Sequence, residues 1–171
     1  MKYLKLPERE RLHELFKYNS KTGDLIRKTT IKAHAKKGDI IKQKDSKGYL
    51  KTRVDGTRYS VHRLIYKMYY GVEDVSKQID HINGIRDNNR IKNLRLVEQS
   101  ENQKNSFLRK DNKTGSVGVF KTSFNSWTAY IQANKKYNHL GTFKTKEDAV
   151  KARKKAERML SFSKRHGEKK T

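Results

Sequence analysis

An aspartate and a histidine stand side by side at Asp80 and His81, and two carboxamides, Asn93 and Asn102, follow across a turn-rich insert. A carboxylate offers a hard oxygen to a cation, an imidazole can take a proton near neutral pH, and carboxamides can orient or coordinate. Together these groups suit metal-assisted cleavage of a phosphodiester. The rest of the chain is built to hold a polyanion. Lys and Arg number 42 against 18 Asp and Glu, a formal net charge of +24 over 171 residues. Such an excess predicts strong, salt-sensitive attraction to nucleic acid. A merely soluble basic surface is the plain alternative, but the bias runs along the whole chain. Anionic membrane is a weaker rival, because no strongly apolar helix face accompanies the charge.

Short elements flank these residues. Pro7 suits a first helical turn, where its missing N–H costs nothing. Leu12, Leu15 and Phe16 then share one helix face, with Thr22-Gly23 expected to close the helix and Leu25-Ile26 to begin a strand. The Lys- and Gly-rich stretch through Lys44 matches no clear element. From Tyr49 to Val54, Leu50, Thr52 and Val54 alternate onto one side, and Asp55-Gly56 is a hairpin signal returning through Tyr59 and Val61. His62 to Gly71 reads as a helix burying Leu64, Ile65 and Met68 and stopping at the glycine.

Ile79 to Ile82 is expected as a short strand. Asn83-Gly84 and Asp87-Asn88-Asn89 read as turns, and Leu94 to Val97 as a second strand. A polar helix over 98–107 would carry Asn102 back over the loop. Asn88 and Asn89 read as turn chemistry, and His62 as a packing or hydrogen-bonding residue at a helix start.

Cysteine is absent, which excludes disulfides and four-cysteine zinc clusters, so no structural zinc is expected. Hydrophobic residues make up only 33% but cluster in periodic segments. The opening MKYLKLPERE has no apolar stretch like a signal peptide, and no segment reaches the roughly 20 apolar residues of a membrane helix. A soluble, cytoplasmic protein with no membrane partner is expected.

The run VHRLIYKMYYG…IDHINGIRDNNRIKNLRLVEQSEN resembles the HNH endonuclease superfamily, and most closely the branch of phage-encoded homing endonucleases. The HRL helix, the DHxNG turn, the DNN cluster and the NLR strand occur in the family's order. The resemblance implies a ββα-metal domain gripping one divalent ion. His81 would be the general base, Asn93 would hold His81 in its tautomer and orientation, and Asp80 and Asn102 would be metal ligands. Such oxygen donors favour Mg²⁺ or Mn²⁺ over Zn²⁺. Arg63, Arg86 and Arg95 could clamp the scissile phosphate.

Towards the C-terminus, GVFKTSFNSWTAYIQANKKYNHLGTFKTKEDAVKARKKAERM resembles the ethylene-response-factor (apetala-type) DNA-binding domain of plant transcription factors. That likeness implies three antiparallel strands on one helix, with the outer sheet face in the DNA major groove. Trp127, Ala129, Ile131 and Ala133 would face the helix, and Thr128, Tyr130, Gln132 and Asn134 would face outward. Phe120, Thr122, Phe124, Tyr130, Gln132 and His139 fall on the base-reading positions, with Lys121, Lys135 and Lys136 expected at phosphates. Several of the family's arginines are replaced here, so its target sequence does not carry over. Thr145 to Asp148 reads as a helix cap, and Ala149, Ala152, Ala156 and Leu160 share the following helix face.

The expected class is α+β: an HNH domain over 1–107, a linker over 108–114, a three-stranded sheet with one helix over 115–161, and a fraying basic tail over 162–171. The expected partner is double-stranded DNA, bound by a monomer rather than a homodimer. A non-catalytic DNA-binding regulator and a basic RNA-binding protein are the alternative functions.

Overall fold

The structure, a computed structural model, describes residues 4–32, 35–98, 101–102, 104–133, 136–164 and 166–169. Its class is α+β, with small antiparallel sheets and few helices. By its contacts the chain divides into two compact units, Met1–Glu98 and Gln99–Thr171. Among the described residues no helix is long and apolar enough to cross a membrane.

The first unit begins with α1 (Arg9–Leu15), followed directly by β1 (Phe16–Asn19) and β2 (Asp24–Arg27), an antiparallel pair. The helix expected to run on to Thr22 therefore ends one residue before Phe16. Phe16 keeps its inward direction, only 2% exposed, but enters the core from a strand. Aromatic and amphipathic residues at 16–18 favour a strand once a partner is available, and β2 provides one.

A second hairpin joins β3 (Lys51–Val54) to β4 (Thr57–Ser60) through Asp55 and Gly56, both at positive φ (46° and 81°). Two such residues in succession make the mirror-type turn that matches strand twist. Next comes α2 (Val61–Tyr70), which buries Val61, Leu64, Ile65 and Met68. Gly71 ends it in the left-handed region (φ 70°), its N–H donating to the Lys67 carbonyl. These side chains join Leu12, Phe16, Leu25, Val54, Ile91 and Leu94 in one core cluster. Each fully buried Leu, Ile or Phe there contributes about 1.5–3 kcal/mol. The core reaches directly beneath β5 (Gln78–His81) and β6 (Leu94–Val97), which pair antiparallel.

In the second unit, β7 (Val119–Lys121), β8 (Trp127–Ala133) and β9 (Lys136–Phe143) form an antiparallel sheet in that order. It packs on α3 (Lys146–Met159), whose N-cap Thr145 accepts the Asp148 N–H through Oγ1. Ala129 and Ile131 are buried and Tyr130 and Gln132 exposed, the alternation expected of β8. The apolar centre is small: Val119, Ala129 and Ala149, with Trp127, Leu140, Phe143 and Val150 packed around it.

A buried polar cluster braces that small core. Arg153 donates from Nε to Glu157 Oε1 (2.8 Å), from Nη1 to the Tyr130 carbonyl, and from Nη2 to His166 Nε2 (3.3 Å). The described residues of the tail expected to fray return to the unit. His166 is 4% exposed, and Ser163 and Gly167 donate their N–H groups to the Lys104 and Ser106 carbonyls. Leu108 in turn donates to the Glu168 carbonyl. Basic composition suggested a solvated end, but the His166 imidazole faces a buried Arg–Glu pair.

Candidate active site

Asp80 and His81 close β5, and the pairing with β6 sets their surroundings. The register places Asp80 opposite Arg95 and His81 opposite Leu94. Asp80 is 7% and His81 3% exposed, so neither is a surface charge. Arg95 donates to Asp80 Oδ2 from both Nε (3.1 Å) and Nη2 (3.0 Å). A buried carboxylate needs such a partner, since burial without one costs several kcal/mol.

The His81 ring meets Asn89. Nε2 lies 2.9 Å from Asn89 Oδ1, and Asn89 is 1% exposed. With Oδ1 accepting from Nε2–H, Nδ1 becomes the proton acceptor of the neutral ring. Burial pushes the His81 pKa down, opposed by the Asn89 hydrogen bond and the charges of Asp80 and Asp87. The net shift is downward, so the ring is poised as a neutral base at neutral pH.

Two further rings lie beside His81. His62 meets His81 edge-on at 5.0 Å between centroids, and Tyr49 lies 5.2 Å from His62 and 5.8 Å from His81. His62 is buried, and burial first and the His81 charge second hold its pKa well below the usual value. Arg86 rests over Tyr49, 5.1 Å from the ring centre, and donates from Nη1 to the Lys47 carbonyl (2.8 Å).

Asn93 is bonded within the loop between the strands. Its Oδ1 accepts the Asn83 N–H (3.0 Å), and its Nδ2 donates to Asn83 Oδ1 (2.9 Å) and to the Asn88 carbonyl (2.7 Å). The carboxamide thus staples both ends of the loop between the strands. It orients His81 at one remove, by fixing the loop that carries Asn89. The β1–β2 hairpin grips the same loop from outside. Tyr18 Oη donates to the Asn89 carbonyl (3.0 Å) and accepts the Ile91 N–H (2.8 Å), and Arg90 Nε donates to the Lys21 carbonyl (2.9 Å).

Among the expected phosphate-binding arginines, Arg63 is engaged within the fold. Its side chain is only 15% exposed and pairs with Glu73 (3.3 Å), which also accepts the Leu6 N–H, so it ties α2 to the N-terminal segment. Arg95 serves Asp80, and Arg86 lies on Tyr49. Asn102 belongs to the unit Gln99–Thr171, where it is half-buried on helical backbone. Asn89, Tyr49 and His62 were missed as site residues. Nothing in residue type separates Asn89 from Asn88; only its burial does.

No group of three or more His, Cys, Asp or Glu able to hold a metal occurs among the described residues. The Asp80 carboxylate nevertheless fits a hard cation. Mg²⁺ usually keeps several waters and takes one or two carboxylates, whereas zinc would want nitrogen or sulfur ligands in number.

On the expected DNA-reading face, Phe120 (52%) and Phe124 (89%) are strongly exposed, and Lys121, Gln132 and Lys136 are also exposed. The Tyr130 and His139 rings lie 4.9 Å apart at a tilt of 44°, with His139 Nε2 3.1 Å from Thr128 Oγ1. Thr122 is instead tied into the β7–β8 turn, its Oγ1 bonded to Ser126. Lys135 and Asn134 lie outside the described residues.

The chain is similar to a solved structure described as "DNA binding and cleavage by the HNH homing endonuclease I-HmuI", at 28% identity and a TM-score of 0.35. That likeness covers 49% of this chain and 47% of the other, so the chain spans about half the length of the structure it matches. A search of curated proteins returns no match. Residues 59–104, which hold α2, β5, the stapled loop and β6, match the family model described as HNH endonuclease.

Proposed function

We propose that the chain is a divalent-metal-dependent DNA endonuclease that hydrolyses phosphodiester bonds, a site-specific phage homing endonuclease or nickase acting in the host cytoplasm. One observation carries the reading: a buried histidine whose Nε2 faces Asn89 Oδ1 at 2.9 Å, within the segment similar to HNH endonucleases.

In this mechanism His81 takes the proton of the attacking water on Nδ1. Asn89, accepting from Nε2–H, steadies the imidazolium that forms, as a buried carboxamide can without reorganising. Asp80 and Asn102 are assigned as metal ligands, Asn102 on the resemblance alone. A bound Mg²⁺ or Mn²⁺ would supply charge neutralisation at the phosphoryl and leaving 3′ oxygens. Arg95 holds Asp80 in place through two hydrogen bonds, and Arg86, steadied on Tyr49, is the arginine assigned to meet a phosphate. In the second unit, the face bearing Phe120, Phe124, Tyr130, Gln132 and His139 reads the site in the manner of an ethylene-response-factor-like module. Lys121, Lys135 and Lys136 hold the backbone around it.

One such site per chain cuts one strand, so a monomer nicks. Supercoiled DNA carrying the native locus, incubated with Mg²⁺, is expected to pass through an open-circle stage. His81→Ala should lower cleavage by orders of magnitude with binding near normal. Binding without metal-dependent cutting by the wild type would favour a DNA-binding regulator instead.

A further inference from the structure

The Lys- and Gly-rich stretch before Lys44 has a definite course. Arg27 and Ile41 donate their N–H groups to the Asp39 and Leu25 carbonyls, and Lys51 donates to the Gln43 carbonyl. The stretch therefore passes from β2 to β3 and borders a groove of about 850 Å³. Arg27, Lys32, Lys42 and Arg53 line this groove, and none of them pairs with a carboxylate among the described residues, whereas Lys51, which also lines it, pairs with Asp45 (3.3 Å). Elsewhere in the unit cations are commonly matched: Arg11 with Asp55, Arg63 with Glu73, Arg95 with Asp80.

The charge arrangement is costly as it stands. Arg53 lies directly opposite Arg58 in the β3–β4 register, and like charges so placed repel. Arg27 is held in readiness, its Nη2 donating to the Oγ1 of buried Thr52 (3.2 Å) and its guanidinium 5.8 Å from the Phe16 ring centre. The lining carboxylate, Asp39, is occupied by the Lys36 N–H (2.6 Å). Ile31 (55% exposed) and Ile40 (41%) add apolar surface to the same groove.

We infer that this groove is a second DNA-binding site, taking the sugar–phosphate backbone of a duplex, with Arg27, Lys32, Lys42 and Arg53 on phosphates and the isoleucines against deoxyribose. It rests on the nucleic-acid reading above but not on the cleavage chemistry, since none of these residues belongs to the His81 loop. Its role is to anchor the duplex without reading sequence, because phosphate contacts carry none.

The test is binding of the full chain to fluorescein-labelled duplex in EDTA, followed by anisotropy over a range of salt. Lys42→Gln/Arg53→Gln should weaken binding at least about tenfold at physiological salt. It should also make the slope of log K against log salt shallower by about 2. Lys5→Gln/Lys17→Gln removes equal charge from exposed positions outside the groove and should leave the slope nearly unchanged. Equal losses in both pairs, or a groove variant that binds like wild type, would overturn the site. Thermal unfolding guards against a folding effect, since relief of the Arg53–Arg58 repulsion predicts a Tm no lower than the parent's. A protein that binds through the groove yet never cuts would sink the nuclease reading and leave this one standing.

Discussion

Gly23 meets Arg90 backbone to backbone: a Cβ at Gly23 would lie 2.7 Å from the Arg90 nitrogen and 2.9 Å from the Asn89 carbonyl carbon. The turn of the β1–β2 hairpin thus presses on the loop that presents Asn89 to His81. Neither backbone can yield as a flexible side chain would. The N-terminal hairpin is therefore part of the scaffold of the site.

Gly23→Ala tests that contact, and Gly48→Ala is its control. Both glycines sit at φ +87°, but nothing lies within 4 Å of a Cβ at Gly48. Gly48→Ala should cost only the left-handed strain, about 1–2 kcal/mol. Gly23→Ala adds a steric overlap worth about a further 1–3 kcal/mol and should depress cleavage as well. Urea unfolding and cleavage assays on the two variants decide. Equal losses would mean that the close approach positions nothing.

Asn89→Ala removes the partner of His81 Nε2. A hydrogen bond to a charged group is worth about 1.5–3 kcal/mol, which converts to a rate loss of about 10- to 100-fold. The loss should appear in kcal-equivalent terms in kcat, with DNA affinity in EDTA unchanged. Asn93→Ala should act differently, loosening the loop and lowering both stability and activity. A kcat for Asn89→Ala near the wild-type value would remove Asn89 from the mechanism.

The strands and helices around the site were legible because their signals are local. Asp55-Gly56 needs only two residues to specify a hairpin, and Gly71 only one to stop α2. Asp80 and His81 stood out as an adjacent pair of reactive types. Asn89 did not, because its role depends on Tyr18 and Gly23, more than sixty residues earlier in the chain. The partners of Arg63 and Arg95 were hidden for the same reason: charge type is visible in a sequence, but the carboxylates they meet, Glu73 and Asp80, are found only in the fold. Phe16 illustrates a further limit, since an inward-facing residue at a helix end fits helical and strand periodicity equally well.

His166 makes the second unit sensitive to acid. Arg153 Nη2–H donates to its Nε2, which requires the ring to be unprotonated there. Burial is the largest cause holding its pKa below the ordinary value, and Arg153 and Lys154 add to it against Glu157. The unfolded chain therefore binds a proton that the folded unit refuses. Stability is fully present above the unfolded value of about 6.5 and declines as pH falls towards the folded one. Hydrogen exchange of the α3 and 104–108 amides should show protection falling between about pH 7 and pH 5, a loss largely abolished in His166→Gln. Protection that does not change with pH would show that the imidazole is not a latch.

Substitution of Phe124 tests whether the second unit reads bases as proposed. Phe124 is 89% exposed in the β7–β8 turn, and Phe120 of β7 is 52% exposed, so neither contributes to the core. Phe124→Ser and Phe120→Ser should alter stability by no more than about 0.5 kcal/mol. Aromatic contacts with bases are worth about 1–3 kcal/mol each, whereas non-specific affinity comes from phosphates. Each substitution should therefore weaken binding to the native locus about tenfold or more and leave binding to an unrelated duplex nearly unchanged. Paired titrations of the two duplexes measure that ratio directly. If both affinities fall together, the exposed aromatics serve general docking, and recognition of the site must lie on another surface.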